Sequence, residues 1–309
     1  MKFTRSNLPK LKELIEAAPK IIFHRRSHLD DAATQWFLRD VIALRTEFEF
    51  QWNQNIQIDG KRGELGLDVI HEYAIKGYQQ DDGGFSSAFR CVVETYYPDS
   101  NQLERLAIEA ILTWVDGDDN SGSATKVILG QEHSLLEDLG LSTLFQSYKT
   151  RFGMHGDEVV NQRFGEQILT PLYQYHLTRQ RAYQYVRENC SMSLSGVVGM
   201  CLGSVPPEAI GYPQTLLREM AAKQNGAIPK IFLYRDPKMG LGLVRMDDNI
   251  RLDHPDLKDF IQAKGIEGWF FHPGGFLSAC GSGTTPRDPE TISLTTEELA
   301  RELNRIFGE

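Results

Sequence analysis

"IIFHRRSHLDDAAT", residues 21–34, decides how this chain is read. An apolar triplet, Ile21 to Phe23, runs into two histidines and two aspartates, then into small residues with helical character. The spacing predicts a strand over Ile21–His24 and a helix from about Asp31 to Arg45, with the polar residues in the loop between them. Ligands of open α/β sheets bind outside the carboxyl ends of the strands. His24, His28, Asp30 and Asp31 are therefore candidates for a metal site. They equally suit a polar loop with a helix cap, since a single Asp before a helix is more often an N-cap than a ligand.

Working outward, Leu8, Leu11, Leu14 and Ile15 recur at helical spacing and predict a short amphipathic helix over residues 8–18. In "TEFEFQWNQ" the alternation of Phe48, Phe50 and Trp52 predicts a half-buried strand. "GELGLDVIHEY" predicts a buried strand ending near Val69–Ile70, and Ser86–Tyr97 and Leu103–Trp114 read as helices. Strands alternating with helices imply an α/β layer with a parallel-type sheet. From Asp157 to about Glu188 the pattern is helical, with a Gly and a Pro inside it, and reads as a long kinked connector. "SGVVGMCLG", "KIFLYR", "LGLVRM" and "GWFFHPGGFLSACG" then read as Gly-punctuated strands. Thr295 is the expected N-cap of a closing helix, with Glu298 three residues on. The expected organisation is an N-terminal domain over 1–155, a helical connector over 156–190, and a smaller α/β domain over 191–309.

Acidic residues recur where strand ends are predicted: Asp30 with Asp31, Asp68, and Asp116 with Asp118 and Asp119. Asp68 sits between Leu67, Val69 and Ile70, where a lone carboxylate costs several kcal/mol unless it is paired or metal-bound. Taken alone, Asp116 to Asn120 reads as a solvated turn and His24 as a packed histidine. Several such clusters in order within one domain favour a site. Histidine and carboxylate donors without thiolates suit Mn²⁺, Mg²⁺ or Zn²⁺, and several shared carboxylates suit a two-metal site for phosphoester hydrolysis.

Bulk properties exclude other classes. Thirty-three basic against forty-two acidic residues give a net charge of −9, which disfavours broad binding to long duplexes but leaves room for a small anionic substrate. The N-terminal residues lack the apolar region of a signal peptide, and no apolar stretch approaches the ~20 residues of a membrane helix. Four cysteines without CxxC spacing fit a reducing cytoplasm and argue against a thiolate zinc site.

His24-x3-His28-x-Asp30 followed by small residues resembles the first motif of the DHH phosphoesterase superfamily, H-x3-D-x-D. The histidine in its middle position resembles the melanocyte-proliferating-gene family of metal-dependent hydrolases, which includes RNA exonucleases. Further matches follow in order. "LDVIHEY" is similar to that family's "VDVGGxYD", "FSSAF" to "LSSAGLV", and "VDGDDN" to "IDxxDN". "GLGLVR" and "GWFFHPGGFLSACGS" resemble the closing "FVHxxGFIG" segment. The resemblance runs from about residue 20 to the end. It implies a DHH-like domain holding divalent metal, Mn²⁺ ahead of Mg²⁺, through His24, His28, Asp30, Asp68 and Asp116, with Asp119 behind Asp116.

The family's third motif, Asp-His-His, is replaced here by "KGYQQDDGGFSS", which has no histidine, so Asp81 or Asp82 would have to substitute. Arg25 and Arg26, inside the first loop, suit contact with a substrate phosphate, although such a pair is more often simply solvated. The resemblance further implies a substrate grip by His272, Gly274 and Gly275 across an interdomain cleft. The expected function is metal-dependent hydrolysis of a nucleotide or of the end of a short nucleic acid, and a homodimer is compatible with it. The alternative is a catalytically degenerate DHH-like protein kept for binding or assembly.

Overall fold

The computed structural model describes residues 7–78, 86–121, 140–192, 198–204, 229–236, 240–281 and 291–308. These divide into two compact units, Met1–Leu177 and Thr178–Glu309, with the boundary inside a long helix.

The first unit is built on a four-stranded parallel sheet in the order β2-β1-β3-β4, comprising β1 (Lys20–His24), β2 (Glu47–Gln51), β3 (Leu65–Leu67) and β4 (Ala74–Ile75). β1 is central, and its residues alternate between two apolar layers. Ile21 and Phe23 join the main core, and Ile22 joins a smaller cluster with Ile58, Val69 and Ala74. A strand covered on both faces reads as a continuous apolar run, which is why Ile21-Ile22-Phe23 lacks alternation.

Helices α1 (Leu8–Ala17), α2 (Leu29–Trp36), α3 (Ala88–Tyr96), α4 (Leu103–Ser121), α5 (Leu141–Phe152) and α6 (Asp157–Phe164) complete this unit, with the first turns of α7 (Thr170–Asn189). α2 packs against α3, α4 and α6. Trp36, Phe37, Phe89, Phe145 and Phe164 are fully buried there, each contributing about 1.5–3 kcal/mol or more.

Two helical expectations change. The helix after the first loop ends at Trp36 and passes through a π-helical turn, Phe37–Val41, rather than running on to Arg45. The helix beginning at Leu103 runs on to Ser121, so Asp116, Asp118 and Asp119 lie on its last turns and not at a strand end. Propensity disfavours Asp and Gly in a helix, but Val115 and Gly117 are buried and packing overrides it. The predicted connector is helical from Asp157 to Asn189, interrupted by a π-helical turn at Gly165–Leu169. Gly165 lets the turn pack closely on Trp36, where a Cβ would lie a tight 3.0 Å from the indole ring.

The second unit carries a six-stranded mixed sheet in the order β5-β6-β7-β8-β10-β9. Its strands are β5 (Cys190–Met192), β6 (Val198–Ser204), β7 (Ile231–Asp236), β8 (Gly240–Arg245), β9 (Trp269–Phe271) and β10 (Leu277–Cys280). Leu233 and Leu243 pack with Leu257 and Ile261 of α8 (Pro255–Ala263) and with Leu299 and Leu303 of α9 (Thr296–Phe307). Thr295 caps α9 as its sequence predicts, accepting from the Glu298 N–H at 3.1 Å. The fold is thus α/β, a parallel-sheet unit followed by a mixed-sheet unit. No helix among the described residues is long and apolar enough to cross a membrane.

Candidate metal centre

β1 delivers His24 at its carboxyl end, where the residue is 5% exposed. The chain then turns through Arg25, Arg26 and Ser27, with Arg26 in the left-handed region at φ 64°, and His28 occupies the N-cap of α2. Asp31, three residues on, returns its carboxylate to that cap: Oδ2 accepts the His28 N–H at 2.7 Å. β3 stops at Leu67, earlier than the sequence suggests, and places Asp68 just beyond its end. Asp68 is also left-handed, at φ 51°. Such backbone costs on the order of 1–3 kcal/mol and is held only where the surroundings impose it.

His24, His28, Asp31 and Asp68 each offer one ligand atom, and the four atoms lie within 4.8 Å of one another. His24 Nε2 is 3.1 Å from Asp31 Oδ2 and 3.7 Å from Asp68 Oδ2. Its Nδ1 is 2.8 Å from the Arg25 carbonyl oxygen, which can only accept. Nδ1 therefore carries the hydrogen, and the Nε2 lone pair of the neutral ring faces two carboxylates. Only a proton or a cation at Nε2 satisfies that arrangement. Burial lowers the His24 pKa, but Asp31 and Asp68 outweigh it and raise it to about 11. Burial raises the Asp31 carboxyl to about 6 against the pull of His24. Asp31 Oδ1 is buried without a hydrogen-bond partner. An orphaned carboxylate oxygen beside a carbonyl-anchored imidazole fits a divalent cation, for which anchored imidazoles are the usual donors. His28, the exposed member, has its pKa lowered by desolvation and by the charge of His24.

Two residues expected as ligands lie elsewhere. Asp30, next to Asp31 but turned away from it on α2, reaches the start of α3. Its Oδ2 accepts from Ala88 N at 2.9 Å and its Oδ1 from Phe89 N at 2.8 Å. It serves as an acceptor at a helix N-terminus 58 residues away, where the dipole favours negative charge. Burial, then Asp68 and Asp119, raise its pKa well above the ordinary carboxyl range. Asp116, on α4, accepts from the Ser87 N–H at 3.1 Å and from the Ser87 hydroxyl, and its other oxygen pairs with the Arg90 guanidinium. Neither joins the four-residue group.

Asp119 stands near enough to feel the centre: desolvation and the charges of Asp68 and Asp116 raise its carboxyl to about 6. Asp81 and Asp82 lie outside the described residues. Arg25 is at the site, its Nε 3.3 Å from the Phe50 carbonyl oxygen.

His272, Gly274 and Gly275 belong to the second unit and form the tight turn between β9 and β10. Both glycine N–H groups are used inside that turn: Gly274 donates to His272 Nδ1 at 2.9 Å and Gly275 to the His272 carbonyl at 2.8 Å. Gly275 has φ 67°, which explains the glycine, and the turn does not present these two amides to an anion.

Sequence reasoning counted Asp31 among the candidates but put Asp30 in the ligand set, and it gave Trp52, Ser87 and Arg90 no part in a site. A signal for Asp31 was present: it stands three residues after the cap residue His28, the spacing at which a helical side chain returns to its own cap.

No protein-family model matches the chain, and no curated protein matches it. Among solved structures, the chain is similar to RecJ from Thermus thermophilus in complex with Mg²⁺, at 11% identity and a TM-score of 0.29, covering 98% of this chain and 52% of that one. It is similar to RecJ in complex with Mn²⁺ from the same organism at 9% identity and a TM-score of 0.30, covering 98% and 54%. The chain thus spans about half the length of these structures.

Proposed function

We propose that the chain is a metal-dependent phosphoesterase of the DHH type, acting on a nucleotide or on the end of a short nucleic acid. The observation that carries this reading is the convergence of His24, His28, Asp31 and Asp68 within 4.8 Å, with the Nε2 of a carbonyl-anchored His24 turned towards two carboxylates. The ordered motif resemblance supports the DHH assignment. His24, His28, Asp31 and Asp68 would hold one divalent cation, Mn²⁺ or Mg²⁺, with Asp31 taking the place expected for Asp30.

A cation bound there supplies Lewis-acid polarisation of a phosphoryl oxygen and a more acidic attacking water. The chain's own groups do the rest. The Arg25 carbonyl fixes the His24 ring, and the His28 N–H fixes Asp31. Exposed His28 and Arg25 stand at the mouth of the site, where they orient an incoming phosphate. Asp119, whose carboxyl desolvation and the charges of Asp68 and Asp116 raise to about 6, would be the group to exchange a proton near neutral pH.

A second reading, binding without hydrolysis, is favoured by one observation: both Asp116 oxygens are engaged by Ser87 and Arg90. A second ion would then lack a carboxylate that the family motif supplies.

The test is elemental analysis of purified protein, followed by hydrolysis of bis(p-nitrophenyl) phosphate and the dinucleotide pApA with millimolar Mn²⁺, with and without chelator. Metal-dependent turnover that disappears in Asp68→Asn is expected. Bound metal without turnover selects the second reading, and no bound metal at millimolar Mn²⁺ overturns both.

A further inference from the structure

Beside the four-residue group lies a cavity of about 380 Å³ lined by His24, Arg25, Arg26, His28, Trp52 and Gln54. No carboxylate lines it, in a chain whose net charge is −9. Trp52 immediately follows β2 and is 49% exposed, which leaves its indole accessible from solvent. Both guanidinium groups approach it, Arg25 at 5.5 Å and Arg26 at 5.7 Å from the ring centroid. Arg26 is held in a left-handed backbone, and its N–H is tied to Asp157 Oδ2 at 3.1 Å, so the loop is fixed with the two arginines side by side. The Arg25 N–H likewise bonds the Gln51 carbonyl at 2.7 Å, extending the β1–β2 ladder up to Trp52.

We propose that Trp52, Arg25 and Arg26 form a nucleoside-phosphate subsite, in which the base stacks on the indole and the phosphate lies between the guanidinium groups and His28. Each part of the lining matches one part of that ligand. An indole face takes a base of any sequence, guanidinium groups bind phosphate oxygens in a planar fork, and the volume lies within the range of small-molecule sites. Without the indole, the same arginines would bind any small phosphate; Trp52 makes the cavity selective for a base-bearing one. The phosphate's position next to His28 rests on the proposed phosphoester reading, whereas base stacking at Trp52 does not. Free nucleotides and the ends of single strands share this chemistry.

The experiment is therefore run in chelator, without metal, on the intact chain. AMP, ribose 5-phosphate and the 5′-phosphorylated oligomer pdT5 are titrated by calorimetry into the wild type and into Trp52→Ala, Trp52→Phe and Arg25→Ala/Arg26→Ala, each first shown to be folded by circular dichroism. AMP is expected to bind the wild type roughly 10-fold or more tighter than ribose 5-phosphate, since base–aromatic stacking is worth about a 5- to 150-fold change. Trp52→Ala erases that preference, Trp52→Phe keeps most of it, and the double arginine variant weakens both ligands. Tighter binding of pdT5 than of AMP identifies a strand end as the source, and the reverse identifies a free nucleotide. Equal binding of AMP and ribose 5-phosphate to the wild type, or an unchanged preference in Trp52→Ala, overturns the proposal, whatever the metal measurements give.

Discussion

His24 Nε2 stands 3.1 Å from Asp31 Oδ2, while Nδ1 of the same ring bonds the Arg25 carbonyl. One nitrogen is committed to the backbone, so the other must hold whatever offsets the buried carboxylates. In the metal-free protein this is a proton. The folded His24 pKa of about 11 lies above the ordinary 6.5, so the stability this proton contributes is in place near pH 6.5 and is lost as pH rises through about 11. Asp31, near 6, is already ionised at pH 7–8.

Loading a cation must expel that proton. Mn²⁺ binding at pH 7–8 is expected to release about one proton per ion, and affinity should rise with pH over this range. Calorimetric titrations in two buffers of different ionisation enthalpy measure the release. A proton count near zero would show that the ion does not meet His24 Nε2.

The neighbouring aspartates should separate cleanly. Asp31→Asn removes a ligand and is expected to weaken Mn²⁺ binding by more than roughly 100-fold. Metal-free stability should fall as well, because Asp31 Oδ2 pairs with His24 Nε2 and accepts the His28 N–H, so Mn²⁺ affinity is the readout that separates the two aspartates. Asp30→Asn leaves a single acceptor oxygen for the Ala88 and Phe89 N–H groups, which should cost about 1–3 kcal/mol in urea melts run in chelator. If Asp30→Asn proves the more damaging to metal binding at equal stability, the ligand assignment between the two is reversed.

Asp68 gives a test of strain. Asn tolerates a left-handed backbone, whereas Ala does not, so Asp68→Asn should retain or raise metal-free stability while abolishing metal-dependent hydrolysis. Asp68→Ala should lose about 1 kcal/mol more than Asp68→Asn in the same melts. A marked loss in Asp68→Asn with chelator present would mean that pairing with protonated His24, 3.7 Å away, makes Asp68 a structural group in the metal-free protein.

What the sequence disclosed and what it concealed divide along a physical line. The strand ending at His24 and the cap of α9 at Thr295 were legible, because run length and capping spacing are local signals. Asp68 stood out for the same reason, as a carboxylate among apolar residues has few benign explanations. The return of Asp31 to the His28 cap was legible in its spacing, but the role of Asp30 was not, because it depends on α3 arriving 58 residues later to take up the Asp30 oxygens. Asp116 was misplaced because "VDGDDN" has the composition of a turn, and only tertiary packing of Val115 and Gly117 keeps it helical. Local chemistry is written in the string; the competition for each carboxylate is settled by the fold.

Asp116 supplies the last prediction. Arg90 Nε pairs with it, Arg90 also faces Glu94 at 3.4 Å, and the side chains of Arg90 and Asp116 are 17% and 13% exposed. Removing one partner of a largely buried pair costs about 3–5 kcal/mol where the other charge is left uncompensated, and Glu94 and Glu109, at 3.4 and 3.7 Å from Arg90, reduce that cost here. Asp116→Asn keeps an oxygen for Ser87 but leaves the Arg90 charge without its nearest counter-ion, so it should destabilise the protein with chelator or with metal alike. Arg90→Met should destabilise it comparably, and the double variant should recover part of the loss, giving a non-zero coupling in a double-mutant cycle. If Asp116 is instead a metal ligand, Asp116→Asn will lower Mn²⁺ affinity by orders of magnitude while metal-free melts change little. Denaturant melts and Mn²⁺ titrations on the three variants distinguish a structural clamp from a ligand.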